Sequence, residues 1–455
     1  MLSVPEALAA ILAEVRPFDP ERVPLHESLG LVLAEDVAAA EDSPPWDKSL
    51  MDGFAVRAAD VAAGRGEWRV LEEVTAGRVP SRPIGEGEAT QIMTGAPLPD
   101  GADAVIPVER VEYDAPGATM RLADAATMSH ASSVVGTAHP TKPSIVAGTN
   151  VIRRATVFAT GDRLVTSGTL LRPQELGLLA EIGQARPLVR RRPRVAVLAT
   201  GDELVPVDET PGPGRIRNSN ETMLCAQLRR AGAEAVPLGI ARDEPGHLRA
   251  KILAGLECDA LILSGGVSAG TKDLVPGELA RAGVRQVFHK VRLKPGAPLW
   301  FGVGEGVTSS AERPGRSQRP GRWAAGTSEE ETRNSSLVTR HFSPLVFGLP
   351  GNPVSSFVCC ELFVRTALRR LMGIEPAEPQ PVSAALGQVH VARGDRPTYH
   401  PARLAAEETG WVVHPVRWHG SSDLRATLDA NALAIIPAGD REWNAGERID
   451  VLPLS

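Results

Sequence analysis

An apolar run, Leu261 to Leu263, leads straight into SGGVSAGTKD at 264–273. A strand that stops at glycines exposes backbone N–H groups at its carboxyl end, and these suit a phosphate or another oxyanion. Gly265, Gly266 and Ser268 are the candidate cradle, and Asp273 beside Lys272 puts a carboxylate next to it. A second unit of the same kind lies upstream, where VAVLAT at 195–200 runs into Gly201, Asp202 and Glu203. Asp243 stands just past a third strand. Mg2+ takes oxygen ligands, typically one or two carboxylates together with substrate phosphates. Two strand–glycine–acid units therefore predict a phosphorylated ligand held with a divalent cation. A structural reading competes, because acids at strand–helix junctions also cap helices and glycines also make plain turns. The ordered recurrence of the units favours the chemistry.

The elements that must position these residues are legible around them. Residues 193–305 alternate as strand 194–199, helix 219–232, strand 234–240, helix 245–256, strand 259–264, helix 274–283 and strand 285–290. Asn218, Ser219 and Asn220 can cap the first helix. This is the βαβ pattern of an open, mostly parallel sheet in a three-layer α/β domain. Ligands of such sheets sit outside the carboxyl ends of the strands, where both glycine–acid turns fall. GLPGNPVSS at 348–356 opens a helix running to about Met372, with Pro353 and Ser355 in its first turn. That helix is apolar nearly all round, so it is expected to be buried.

The rest of the chain reads as β modules and connections. Residues 4–16 form a helix with Leu8, Ile11, Leu12 and Val15 on one face. Residues 20–110 carry short alternating stretches such as WRVLEEV at 68–74, residues 111–147 hold little periodicity, and MSHASSVVGTAHPTKPS at 128–144 looks like a loose loop. Residues 306–343 are polar and rich in Pro and Gly, and are expected to be a flexible surface insertion. PAEPQP at 376–381 is a linker, and 382–455 make a small β barrel or sandwich. The division is 1–45 with 148–190 as an N-terminal linker and dimerisation domain, and 46–147 as a β-rich second domain. The α/β domain is 191–374, and the C-terminal barrel is 375–455.

Composition bounds the function. The 455 residues exceed one ordinary core, so several domains are expected. A net charge of -6 argues against a general nucleic-acid binder. No apolar run reaches the roughly 18 residues of a membrane span. The N-terminus lacks the basic region of a signal peptide. Cys225, Cys258, Cys359 and Cys360 form no CxxC pair and read as reduced, buried thiols of a cytoplasmic protein.

Taken together, the motifs resemble the molybdopterin molybdenumtransferase family, of the bacterial MoeA and gephyrin E-domain type. The resemblance runs through WDKSLMDGFAV at 46–56, QIMTGAPLPDGADAVIPVE at 91–109, RPRVAVLATGDEL at 192–204 and IRNSN at 216–220. It continues through ARDEP at 241–245, SGGVSAGTKD at 264–273, LKPGAP at 293–298 and GLPGNPVS at 348–355. ARGDRPTYHPARL at 392–404 and HGSSDL at 419–424 complete it. It implies insertion of molybdate into adenylylated molybdopterin, with release of AMP and molybdenum cofactor. Asp273 and Glu203 would place Mg2+ and water, and Asp243 would contact substrate. Gly265, Gly266, Ser268, Lys294, Pro295, Gly296, Pro350, Gly351 and Asn352 would line the crevice. Asp52 and Thr94, with Ser49 and Glu109 nearby, match functional positions of the second domain. Arg396 and Ser421 or Ser422 would bind molybdate oxygens. The resemblance further implies a homodimer with shared sites and recipient molybdoenzymes or their chaperones. The single SGGVS unit implies a separate molybdopterin adenylyltransferase.

Three departures from the family pattern stand out. Arg153 and Arg154 lead to Thr156, Val157 and Phe158 where an acidic pair is usual. Ala297 replaces a lysine found in many members, and DKSLMDGF carries Lys48 and Phe54. The missing acidic pair favours a molybdopterin- or molybdate-binding paralogue or scaffold with little turnover. The retained Glu203, Asp243 and Asp273 oppose that alternative. A dinucleotide oxidoreductase would need a GxGxxG after the first strand of the α/β segment, and there is none.

Overall fold

The computed structural model describes residues 1–123, 145–267, 274–305, 307–309, 340–408 and 410–454. Ser268, Asp273 and most of the 306–343 segment lie outside the described residues. The chain divides into two compact units. One holds residues 1–35, 167–176 and 185–455, and the other 36–166 and 177–184.

The larger unit is built on β1 (Arg194–Thr200), α1 (Ser219–Arg230), β2 (Glu234–Ala241), α2 (Pro245–Leu256) and β3 (Ala260–Ser264). It continues with α3 (Val275–Arg281), β4 (Val284–His289), β5 (Trp300–Gly304) and β6 (Leu345–Leu349). The six strands lie in the order β2-β1-β3-β6-β5-β4. The first four are mutually parallel, and β5 and β4 add an antiparallel edge. Alternation along a strand sends successive side chains to opposite faces. Val195 and Val197 of β1 meet Leu224 and Leu228 of α1, while Ala196 and Leu198 meet Leu248 and Ile252 of α2. Both faces of the sheet are thus covered, which is why its strands read as continuous apolar runs.

The N-terminal helix Val4–Glu14 opens on a capping box formed by Ser3 and Glu6. It buries Val4, Ala7 and Ile11 in the same core as the helix that follows β6. That following helix, α4, is continuous but not uniform. It is α-helical at Pro353–Cys359, a π turn at Cys360–Val364 and α-helical again at Arg365–Leu371. The π turn carries buried Glu361, which accepts from Gln227 at 2.8 Å and from Arg365 at 3.2 Å and also pairs with Arg230. All four cysteines are free and buried, as expected of core thiols.

A closed barrel follows: β7 (Val382–Leu386), β8 (Thr398–Glu407), β9 (Gly410–Pro415), β10 (Ala432–Ile436) and β11 (Arg448–Pro453). Its strand order is β7-β9-β8-β10-β11. Closure leaves no exposed sheet edge.

The smaller unit holds a six-stranded sheet, in the order Ala104–Pro107, Gly53–Val56, Glu88–Ile92, Glu67–Val74, Thr119–Leu122 and Val111–Asp114. Phe54, Trp68, Ile106 and Met120 are fully buried on it. Residues 111–122, of little periodicity in the sequence, form a β-hairpin whose Met120 enters the core, and the loose loop expected at 128–144 lies outside the described residues. A single buried residue in a short strand is too weak a periodicity to read. The expected insertion is corrected at its ends, where Val307–Ser309 pairs antiparallel with Arg340–Phe342.

Candidate functional site

The register of the parallel strands builds the site. Thr200 lies opposite Ala241, Ala199 opposite Ser264, and Ser264 opposite Leu349. The first residues beyond the sheet are therefore Gly201, Arg242, Gly265 and Pro350, in one row along the carboxyl edge. The chain passes from β1 to β2 on one side and returns to β3 on the other, so the crevice between β1 and β3 is the topological switch point. Gly201 and Gly265 stand at its mouth.

Both glycines are there for room. Gly265 has φ +97°, and a Cβ on it would lie 2.7 Å from the Thr200 carbonyl oxygen. Its N–H donates to the Leu349 carbonyl at 3.0 Å, tying the β3 loop to the β6 loop. Gly201 has φ +139°, and the Glu203 carboxylate folds back over it, 2.4 Å from where a Cβ would stand. Asp202, Glu203 and Asp243 are exposed at this edge. The Asp243 N–H donates to Asp202 Oδ1 at 3.2 Å, and Arg215 and Arg242 donate to the Asp202 carbonyl at 2.7 and 3.2 Å. Asp202 is thus the hub of the acidic turn, although the sequence points to its neighbours.

The segments after β4 and β6 converge on the start of α4. Gly296, at φ +115°, packs where a Cβ would meet Cys359 Sγ at 2.6 Å. Lys294 is gripped through its backbone, its N–H donating to the Pro397 carbonyl and its carbonyl accepting from Tyr399. Arg396 immediately precedes Pro397, its Nε 3.6 Å from Asp395 Oδ1. Asn352 Nδ2 donates to Ser421 Oγ at 2.8 Å, and the Ser421 carbonyl accepts from the Val354 N–H at 3.0 Å. The barrel therefore satisfies one of the otherwise unpaired N–H groups of the first turn of α4. Lys294 also lies close enough to His400 to help depress its pKa, which burial chiefly pushes down to about 4.

Sequence reasoning missed Asn220. It is not the cap of α1, because Asn218 accepts the Glu221 N–H and fills that role. Asn220 instead donates to Ser264 Oγ at 2.8 Å and to the Gly351 carbonyl at 2.7 Å. Its presence in IRNSN, beside an expected ligand loop, was the available signal.

In the smaller unit, Asp52 and Thr94 are brought together. Asp52 Oδ1 accepts from the Thr94 N–H and Oγ1, both at 2.7 Å, and these bonds hold its carboxyl below the usual range. Ser49 Oγ donates to the Met51 carbonyl at 2.5 Å, and the Val108 N–H beside Glu109 donates to the Asp52 carbonyl. Asp42 and Asp47 pair with Arg154 and Arg153, and Val157 is exposed.

A covered parallel sheet with glycine loops and acids at its switch point, joined to a closed barrel, defines the class of α/β proteins whose ligand crevice lies outside the carboxyl ends of the strands. Comparison with known proteins narrows that class. Three family models match in chain order: the MoeA N-terminal region (domain I and II) at residues 2–183, a probable molybdopterin binding domain at 196–370, and the MoeA C-terminal region (domain IV) at 387–454. The molybdopterin molybdenumtransferase of Bacillus subtilis (strain 168) is 30% identical over 456 residues, 99% of this chain and 94% of its own length. That of Staphylococcus aureus (strain MRSA252) is 29% identical over 459 residues, 99% and 95%. The solved MoeA protein of Pyrococcus horikoshii OT3 is 26% identical with a TM-score of 0.71, covering 100% of both chains. The chain belongs to the MoeA family of molybdopterin molybdenumtransferases, transferases of molybdenum cofactor biosynthesis. Among the described residues no helix is long and apolar enough to cross a membrane.

Proposed function

We propose that the chain inserts molybdate into adenylylated molybdopterin, with Mg2+-dependent cleavage of the phosphoanhydride and release of AMP and molybdenum cofactor. The observation that carries this reading is the shared row of Gly201, with the Glu203 carboxylate over it, and Gly265 at the switch point. An anionic, metal-assisted ligand needs backbone room and a carboxylate at one place, and this edge offers both.

The donor set fits Mg2+ as an ion shared with substrate. Among the described residues no three His, Cys, Asp or Glu side chains converge to hold a metal alone. Mg2+ commonly uses one or two carboxylates and takes its remaining oxygens from phosphate and water. Glu203, with Asp273, would hold it, and it would supply charge neutralisation at the phosphoanhydride. Lys294 adds a fixed positive charge, and Arg396 and Ser421 are offered to molybdate oxygens. Gly266 and Ser268 approach the phosphate, Pro295, Gly296, Pro350, Gly351 and Asn352 shape the wall, and Asp243 contacts the substrate. Asp52 keeps its charge through Thr94 and is available to orient a donor on the ligand. The working form is proposed to be a cytoplasmic homodimer with shared sites. A separate adenylyltransferase would supply the substrate, and recipient molybdoenzymes or their chaperones would take the product.

Purified protein with adenylylated molybdopterin, molybdate and Mg2+ should release AMP and cofactor together. The second reading, a binding paralogue or scaffold, is favoured by Thr156, Val157 and Phe158, which bring no carboxylate where the family usually has two. Ligand binding without AMP release, by folded protein, would decide for it.

A further inference from the structure

We infer that Asn220 is a positioning residue that fixes the two glycine loops of the site to each other, a role that rests on the function proposed above. A lone asparagine in the first turn of a helix ordinarily caps it or faces water. Here the cap is already filled by Asn218. Asn220 uses both hydrogens of its amide instead. One goes to Ser264 Oγ, at the end of β3, and the other to the Gly351 carbonyl, just past β6.

The orientation follows from the chemistry. Exchanging the amide oxygen and nitrogen would aim an oxygen at the Gly351 carbonyl and break that bond. Asn220 Oδ1 is buried and has no partner among the described residues. A side chain kept with an unsatisfied buried acceptor is placed for what its donors hold.

What they hold is narrow. A Cβ on Gly351 would be 3.7 Å from Gly265 Cα, so the two loops are in van der Waals contact. The Gly265 N–H donates to Leu349 across the same gap. Asn352, next along the chain, is latched to Ser421. One amide thus joins the start of α1 to the end of β3 and to the loop after β6, fixing the β3 side of the crevice. Misplacing reacting groups by about 1 Å can cost 10²-fold in rate, so the clamp matters to turnover without touching the reacting atoms.

The test uses the full-length protein as Asn220→Ala, Asn220→Asp, Ser264→Ala and the Asn220→Ala/Ser264→Ala double variant. AMP release is followed from adenylylated molybdopterin with molybdate and Mg2+. Asn220→Ala should keep its circular dichroism and lose on the order of 10²-fold in kcat/KM. The double variant should be no worse than Asn220→Ala, because Asn220→Ala already removes the bond that Ser264→Ala removes. Asn220→Asp, isosteric but lacking donors when ionised, should be as impaired at pH 8. It should recover relative to wild type as pH falls and the carboxyl regains one O–H donor. Additive losses, or an Asn220→Asp to wild-type ratio that does not vary with pH, would overturn the inference, as would normal turnover by folded Asn220→Ala. Amide exchange gives a second readout that needs no turnover: the Gly265 amide should exchange faster in Asn220→Ala, and unchanged exchange would also overturn the clamp. If wild type itself releases no AMP, the proposed function fails, and the exchange result still judges the clamp.

Discussion

At Gly265 an added methyl group would meet the Thr200 carbonyl oxygen at 2.7 Å, in a backbone conformation that side chains rarely adopt. Gly265→Ala should therefore cost more than about 1 kcal/mol, visible as a lower Tm in thermal unfolding. Asp273→Asn should leave the fold intact and cut AMP release on the order of 10²-fold or more, the scale of one preorganised electrostatic group. Normal turnover by the folded variant would remove Asp273 from the mechanism. The places of Gly201, Glu203, Asp243 and Gly265 at the strand ends were legible because strand ends and turns leave local signatures. Asn220 was not, because its partners lie 44 and 131 residues away and only the folded sheet brings them within reach.

At the scale of elements, the run from β1 to α3 was legible almost residue for residue, because strands buried on both faces are unbroken apolar runs. The hairpin at 111–122 and the π turn of α4 were not. A π turn depends on where its side chains find partners, and buried Glu361 finds Gln227 and Arg230 on α1. Glu361→Ala strands two arginines that are partly exposed, 43% and 29%. It should cost about 2 kcal/mol, below the 3–5 of a fully buried pair, measurable by urea unfolding. His400 sits edge-on between His390 and Trp418, with Nε2 2.9 Å from the Val416 carbonyl oxygen. Its pKa is lowered to about 4 in the fold, against about 6.5 unfolded. The unfolded chain therefore binds the extra proton first as pH falls, and stability present above about pH 6.5 drains away toward pH 4. His400→Gln should flatten that part of the Tm-against-pH curve. An unchanged slope would show that other groups set it.

For the molecule as a whole, the proposed shared site makes a sharp demand. Asp52→Ala and Asp273→Ala should each be nearly inactive alone. Mixed and re-equilibrated, they form dimers in which one site carries both changes and the other neither, because a two-fold axis repeats each interface. Activity should return to about a quarter of wild type when random mixing makes half the dimers mixed. Activity near zero, with mixed dimers verified by mass spectrometry, would mean each site is built within one chain.

The carbonyl that Ser421 lends to the Val354 N–H gives the molecule an order of assembly. As the ribosome extends the chain, the parallel strands are all available once Leu349 has emerged, and the sheet can close. The loop beyond Leu349 must then wait, its first helical turn short of a partner, until the distant barrel segment arrives. A nascent chain therefore has its sheet before it has its site, and an unfinished polypeptide is poorly equipped to capture the ligand early.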